Sequence, residues 1–110
     1  MFSLYDWEMI DWDDEEDEDG NLQHCLRHGV TERVVYEVLS TEPAEIKLGL
    51  EGAEFAVVGP DDAKAAIWTI LLATSWKRGD WLRPVTGWRS KGDEISQWEA
   101  ARHQTWRGQR

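Results

Sequence analysis

The chain has one cysteine, Cys25, in 110 residues. An intramolecular disulfide framework is therefore excluded, and a reducing compartment fits. No apolar run approaches the roughly 18 residues of a membrane span, and no basic-then-apolar leader follows Met1. The expectation is a soluble, cytoplasmic protein that needs no membrane. The sequence contains no phosphate-binding glycine loop, dinucleotide fingerprint or serine elbow, so no cofactor is expected. Bases are also scarce: 12 Lys and Arg stand against 22 acids, for a formal charge of −10. At face value that argues against nucleic acid, whose phosphates need Lys and Arg.

The average conceals the distribution. Residues 1–19 hold ten acids and no base, including the run Asp13-Asp14-Glu15-Glu16-Asp17-Glu18-Asp19. Residues 20–110 are neutral overall, with a net −4 over 20–75 and a net +4 over 76–110. The charge thus excludes a protein that is basic all over and leaves room for a small RNA-facing site. It divides the chain into an acidic N-terminal segment, 1–19, and one domain, 20–110, of ordinary single-domain size. Eight tryptophans are present: Trp7, Trp12, Trp68, Trp76, Trp81, Trp88, Trp98 and Trp106.

The periodicity predicts an α+β domain: two short N-terminal helices, a four-stranded antiparallel meander and a C-terminal helix. Asn21 is the expected cap of a helix over 22–28, ended by Gly29 in the left-handed conformation. Thr31 is the expected cap of a second helix, with Val30 stapled to Val35. Pro43 stops that helix near Ser40. Strands are predicted at 46–50, 54–58, 65–75 and 81–88. The third is apolar enough to be central, and Pro84 marks the fourth as an edge or bulged strand. Lys77-Arg78-Gly79-Asp80 is the expected hairpin loop. Asp93 is the expected cap of a helix from Glu94 to about Trp106, with Ile95 and Trp98 inward.

His24, Arg27 and His28 stand at i, i+3 and i+4, so one helix face carries all three. Two imidazoles and a guanidinium can hold a phosphate and exchange protons near neutrality. The bland alternative is a cationic helix C-terminus. The same two histidines lack a third ligand, so no metal is expected. The acidic run fails as a calcium loop: with Gly20 in sixth place, the twelfth is Leu26 instead of Glu. Cys25 has no basic surroundings that would make it a nucleophile. The basic C-terminal third interleaves cations with aromatics, including Trp76, Trp81, Arg83, Trp88, Arg89, Arg102, His103, Trp106 and Arg107. Such interleaving suits single-stranded RNA. Trp68 and Trp98 are expected in the core, and Trp76, Trp81 and Trp88 on the exposed hairpin.

Trp12-Asp13, Gly20-Asn21-Leu22-Gln23-His24 and Arg27-His28-Gly29-Val30-Thr31 together resemble the start of BrnT-like proteins, the toxins of bacterial type II toxin–antitoxin pairs. Leu82-Arg83-Pro84-Val85-Thr86-Gly87 is similar to that family's last strand. The resemblance implies a RelE-like fold and metal-independent mRNA cleavage, neutralised by a ribbon-helix-helix antitoxin. It further implies His28 as proton carrier, Arg27 and Arg83 as electrophilic clamps, and Thr86 at a small hydroxyl position. His24, Trp88 and Arg89 complete the expected substrate contacts. The family's arginine after the last strand's small residue is Trp88 here, with Arg89 next to it. That departure keeps a second reading open, a non-catalytic interaction module using the acidic segment and the tryptophans. Self-association is open as well. The acidic run has three expected uses: to cover the chain's own basic surface, to steer or bind a basic partner, or to cap the first helix.

Overall fold

The computed structural model describes residues 9–41, 43–46, 48, 52–62, 65–75 and 81–108, and the side chains as far as Ala101. The expectations for Trp7, Trp76, the 77–80 loop, Leu50 and the side chains of Arg102, His103, Trp106 and Arg107 lie outside the described residues.

Eight elements follow in the order β1 (Met9–Ile10), α1 (Asn21–Arg27), α2 (Glu32–Ser40), β2 (Ala44–Ile46), β3 (Phe55–Pro60), β4 (Ile67–Thr74), β5 (Trp81–Arg89) and α3 (Gly92–Gly108). The class is α+β. The sheet differs from the expected four-stranded antiparallel one, because it is five-stranded and mixed, with order β1-β5-β4-β3-β2. The meander from β2 to β5 is antiparallel as expected. The addition is β1, which pairs parallel to β5 through Met9–Trp81 and Ile10–Leu82. Beyond β1, the Asp11 amide donates to Leu82 O at 2.7 Å.

Local chemistry explains the helix limits. The Val34 amide donates to Thr31 Oγ1 at 3.1 Å, the expected cap. Gly29 has φ +79°, which a side chain adopts only with strain. The cap of α1 departs from expectation. Gly20 holds that position, and Asn21 is the first helical residue, its side chain used elsewhere. The C-terminal helix also departs, beginning at Gly92 with Asp93 already inside it. There the Lys91 amide donates to Glu94 Oε1 at 2.8 Å, half of a capping box.

The sheet separates two apolar layers. On one side α1 and α2 pack Cys25, Val30, Val35, Val38 and Leu39 against Val57, Trp68, Ile70, Leu72 and Leu82. On the other, Trp98 of α3 and Trp88 cover Ile46, Ala56, Val58 and Leu71. β4 lies third of five strands and feeds both layers, which is why its sequence is almost uninterruptedly apolar. β5 carries a bulge: Leu71 faces Thr86 and Leu72 faces Pro84, leaving Val85 extra. The bulge is where Pro84, which has no amide to donate, is accommodated. Gly87 lets the α1–α2 connection come close. A Cβ there would stand 2.9 Å from the Thr69 carbonyl oxygen and 3.2 Å from Val30 Cγ2.

Candidate functional site

Helix α1 lies along β5. At its start, Asn21 Nδ2 donates to the Pro84 carbonyl at 2.8 Å. Just past its end, Val30 reaches Gly87. The buried side of α1 is Asn21, Leu22 and Cys25. Burial pushes the Cys25 thiol up to about 11, so it carries little thiolate and is not a nucleophile. The remaining positions at helical spacing, His24, Arg27 and His28, face outward, with Arg27 and His28 exposed and His24 half-buried. The imidazole centroids of His24 and His28 are 4.9 Å apart, with planes tilted by 59°. His28 is the C-cap; its amide donates to Cys25 O and that of Gly29 to Leu26 O, each at 3.0 Å. Among the described residues, no group of three His, Cys, Asp or Glu gathers to hold a metal.

Arg83 stands at the other end of α1. Its guanidinium forms a fork with Asp13, Nη1 to Oδ1 at 2.9 Å and Nη2 to Oδ2 at 2.6 Å. Asp11 Oδ2 lies 3.5 Å from the same Nη1. The Asp13 bond makes Arg83 harder still to deprotonate than an ordinary arginine. Both carboxylates are also bound elsewhere. Asp13 Oδ2 accepts the Asn21 amide at 2.9 Å, and Asp11 Oδ2 accepts the Ser75 hydroxyl at 2.8 Å. Asn21 closes the network by donating to Asp11 O at 2.9 Å and accepting the Asp13 amide at 2.8 Å. Seven residues of helix, about 10 Å at 1.5 Å each, separate Asn21 in this network from His28.

The acidic loop spans that gap. Gln23 Nε2 donates to the Glu15 carbonyl at 2.5 Å, and Arg27 Nη2 donates to the Glu18 carbonyl. Residues 14–19 are exposed throughout. Asp14 and Asp17 each accept an amide two residues on, which keeps the loop compact.

The other candidates separate by sheet face. Thr86 pairs with Leu71, and Trp88 with Thr69, both toward α3. Trp88 is half-buried, and its indole donates to Glu94 Oε1 at 3.0 Å. It is thus no exposed stacking platform, contrary to the expectation for it. Lys91 Nζ lies 5.8 Å from the Trp88 ring. Arg89 faces the α1–α2 side, its guanidinium 5.6 Å from the Trp68 ring centroid. Trp68 is in the core as expected, and Trp98 is half-buried against the second layer. The structure therefore brings His24, Arg27 and His28 together and leaves Thr86 and Trp88 on the opposite sheet face, which Arg83 shares by register while its guanidinium meets the start of α1 through Asp13.

Sequence reasoning missed Asn21, Asp11 and Glu94 as organising residues. A usable signal existed only for Glu94, which sits three residues after Lys91 at a helix start. None of the described helices is long and apolar enough to cross a membrane. No family profile, curated protein or solved structure matches this chain.

Proposed function

We propose that the chain is a BrnT-like, metal-independent endoribonuclease of a toxin–antitoxin pair, with the outer face of α1 as its reacting surface. The observation that carries this reading is the pairing of two imidazoles, 4.9 Å apart, with Arg27 on the same turn of helix. The antiparallel β2–β5 meander between two N-terminal helices and α3 is compatible with the RelE-like fold that the resemblance implies.

The chemistry needs a base, an acid and a cation. His28 takes the proton from a ribose 2′-hydroxyl. The freed oxygen attacks the adjacent phosphorus, and the bond to the 5′-oxygen breaks. His24, in its protonated form, returns a proton to that leaving oxygen. Arg27 carries the charge that builds on the non-bridging oxygens. The products are a 2′,3′-cyclic phosphate and a 5′-hydroxyl, and no electron or metal is required. A ribbon-helix-helix antitoxin is the expected neutralising partner.

Expression of the wild-type chain in a bacterial host without the antitoxin should arrest growth, and the Arg27→Ala/His28→Ala double variant should not. The two positions are exposed, so the substitution costs little stability. Growth arrest by a folded double variant would sink the assignment.

A second reading is favoured by one observation, the full exposure of the acids in 14–19. In that reading the chain is a non-catalytic module that presents the loop to a basic protein partner. Absence of RNA cleavage together with salt-sensitive binding of such a partner would select it.

A further inference from the structure

We infer that the acidic loop 13–19 is an intramolecular competitor for RNA, laid along α1 between Arg83 and Arg27. The inference rests on α1 being the RNA-facing surface. An arginine fork matches a carboxylate and a phosphate in the same bidentate manner. In this chain the fork of Arg83 is filled by the chain's own Asp13, at 2.9 and 2.6 Å. Arg27, the other cation on the path, is engaged by the carbonyl of Glu18 in the same loop. The loop therefore touches both ends of the surface that a strand of RNA would follow, and it brings negative charge where phosphates would lie.

The two parts of the loop are held differently. Asp13 is anchored through Arg83, which is partly accessible, and Asn21, which is buried. Residues 14–19 bury no apolar side chain and touch α1 through the bonds from Gln23 and Arg27. Such a segment belongs to the part of a fold that opens at least cost. A phosphate chain must displace the outer part first and then exchange with Asp13 on Arg83. A basic antitoxin surface that draws on the loop's charge would alter that competition without touching His28.

The test is the affinity for a fluorescein-labelled 12-nucleotide oligouridylate, 2′-O-methylated so that it is not cut, measured by anisotropy at low salt. Asp13→Asn removes the charge and keeps the shape. Asp13→Ser is a second variant that retains an oxygen for the Asn21 amide. Both are expected to bind about tenfold more tightly than wild type, the scale of one competing charge-assisted contact. Adding Arg83→Ala to either should erase the gain. Folded variants that bind no more tightly overturn the masking. The reading of α1 survives that result if Arg27→Ala/His28→Ala lowers wild-type binding. If no variant binds, that reading falls and the masking with it. If both Asp13 variants lose their cooperative thermal transition, the pair is a staple of the fold and the masking is overturned.

Discussion

Asn21→Ala should lower the unfolding free energy by roughly 3–5 kcal/mol, as buried groups left without partners cost about 1–3 kcal/mol each. The Asn21 side chain makes three hydrogen bonds: donations to Asp11 O at 2.9 Å and Pro84 O at 2.8 Å, and an acceptance from the Asp13 amide at 2.8 Å. Those partners belong to the N-terminal segment and to β5, 63 residues away. Truncation orphans two carbonyls and one amide at a site only 7% exposed. It also loosens β1, which holds β5 by a two-residue ladder. Entering water recovers part of the loss, which keeps the sum below three full penalties. For a domain near 100 residues each kcal/mol moves the midpoint by about 4–8 °C, so thermal denaturation should report a fall of roughly 12–40 °C. Asn21→Asp should do no better, because it replaces two donated bonds by carboxylate facing carbonyl. By contrast Thr31→Ala, at an exposed cap, should cost only about 1 kcal/mol. An Asn21→Ala protein within about 1 kcal/mol of wild type would show that the network is not what fastens the N-terminal segment.

The second large effect is expected at Glu94, which is 2% exposed. Its Oε1 accepts from Thr69 Oγ1 at 2.9 Å, Trp88 Nε1 at 3.0 Å and the Lys91 amide at 2.8 Å. One carboxylate thus ties the start of α3 to β4 and β5. Glu94→Ala leaves the buried Thr69 hydroxyl only Ser90 Oγ, at 2.8 Å, and strands an indole N–H and a capping amide, for about 2–4 kcal/mol. Glu94→Gln keeps one acceptor oxygen and should cost about 1 kcal/mol. Urea denaturation of the pair separates the two, and equal losses would assign the effect to charge instead of hydrogen bonding. Trp88 fluorescence should shift to the red in the alanine variant, since its indole loses its partner and gains water.

The contrast between these residues and the rest shows what local sequence encodes. Gly29, Thr31 and Pro43 act within a few residues of themselves, so the end of α1 and the limits of α2 were legible. The apolar density of 67–72 made β4 central for a similar reason, because burial on both faces leaves a compositional trace. The α-α-β-β-β-β-α order followed from these. Strand β1 left no such trace. Two residues have no period, and their pairing with Trp81 and Leu82 is fixed by contacts about 70 positions apart. The same distance hid the use of Arg83. The resemblance implied a clamp there, while its fork closes on Asp13, 70 residues earlier. Trp88 looked exposed because tryptophan beside arginine and lysine in a turn suits stacking. Its true partner, Glu94, lies six positions on, behind a turn whose path the local pattern does not fix. The His24–Arg27–His28 face was legible because helical spacing alone assembles it.

That face carries the functional claim, and purified protein tests it most directly. A 5′-labelled single-stranded RNA is incubated with wild-type chain and with Arg27→Ala/His28→Ala, in buffer containing EDTA, and the product ends are identified. The account predicts cleavage by wild type that persists in EDTA, leaves 2′,3′-cyclic phosphate and 5′-hydroxyl ends, and is absent from the folded double variant. Intact RNA with the wild-type chain, or equal cleavage by the double variant, would contradict it.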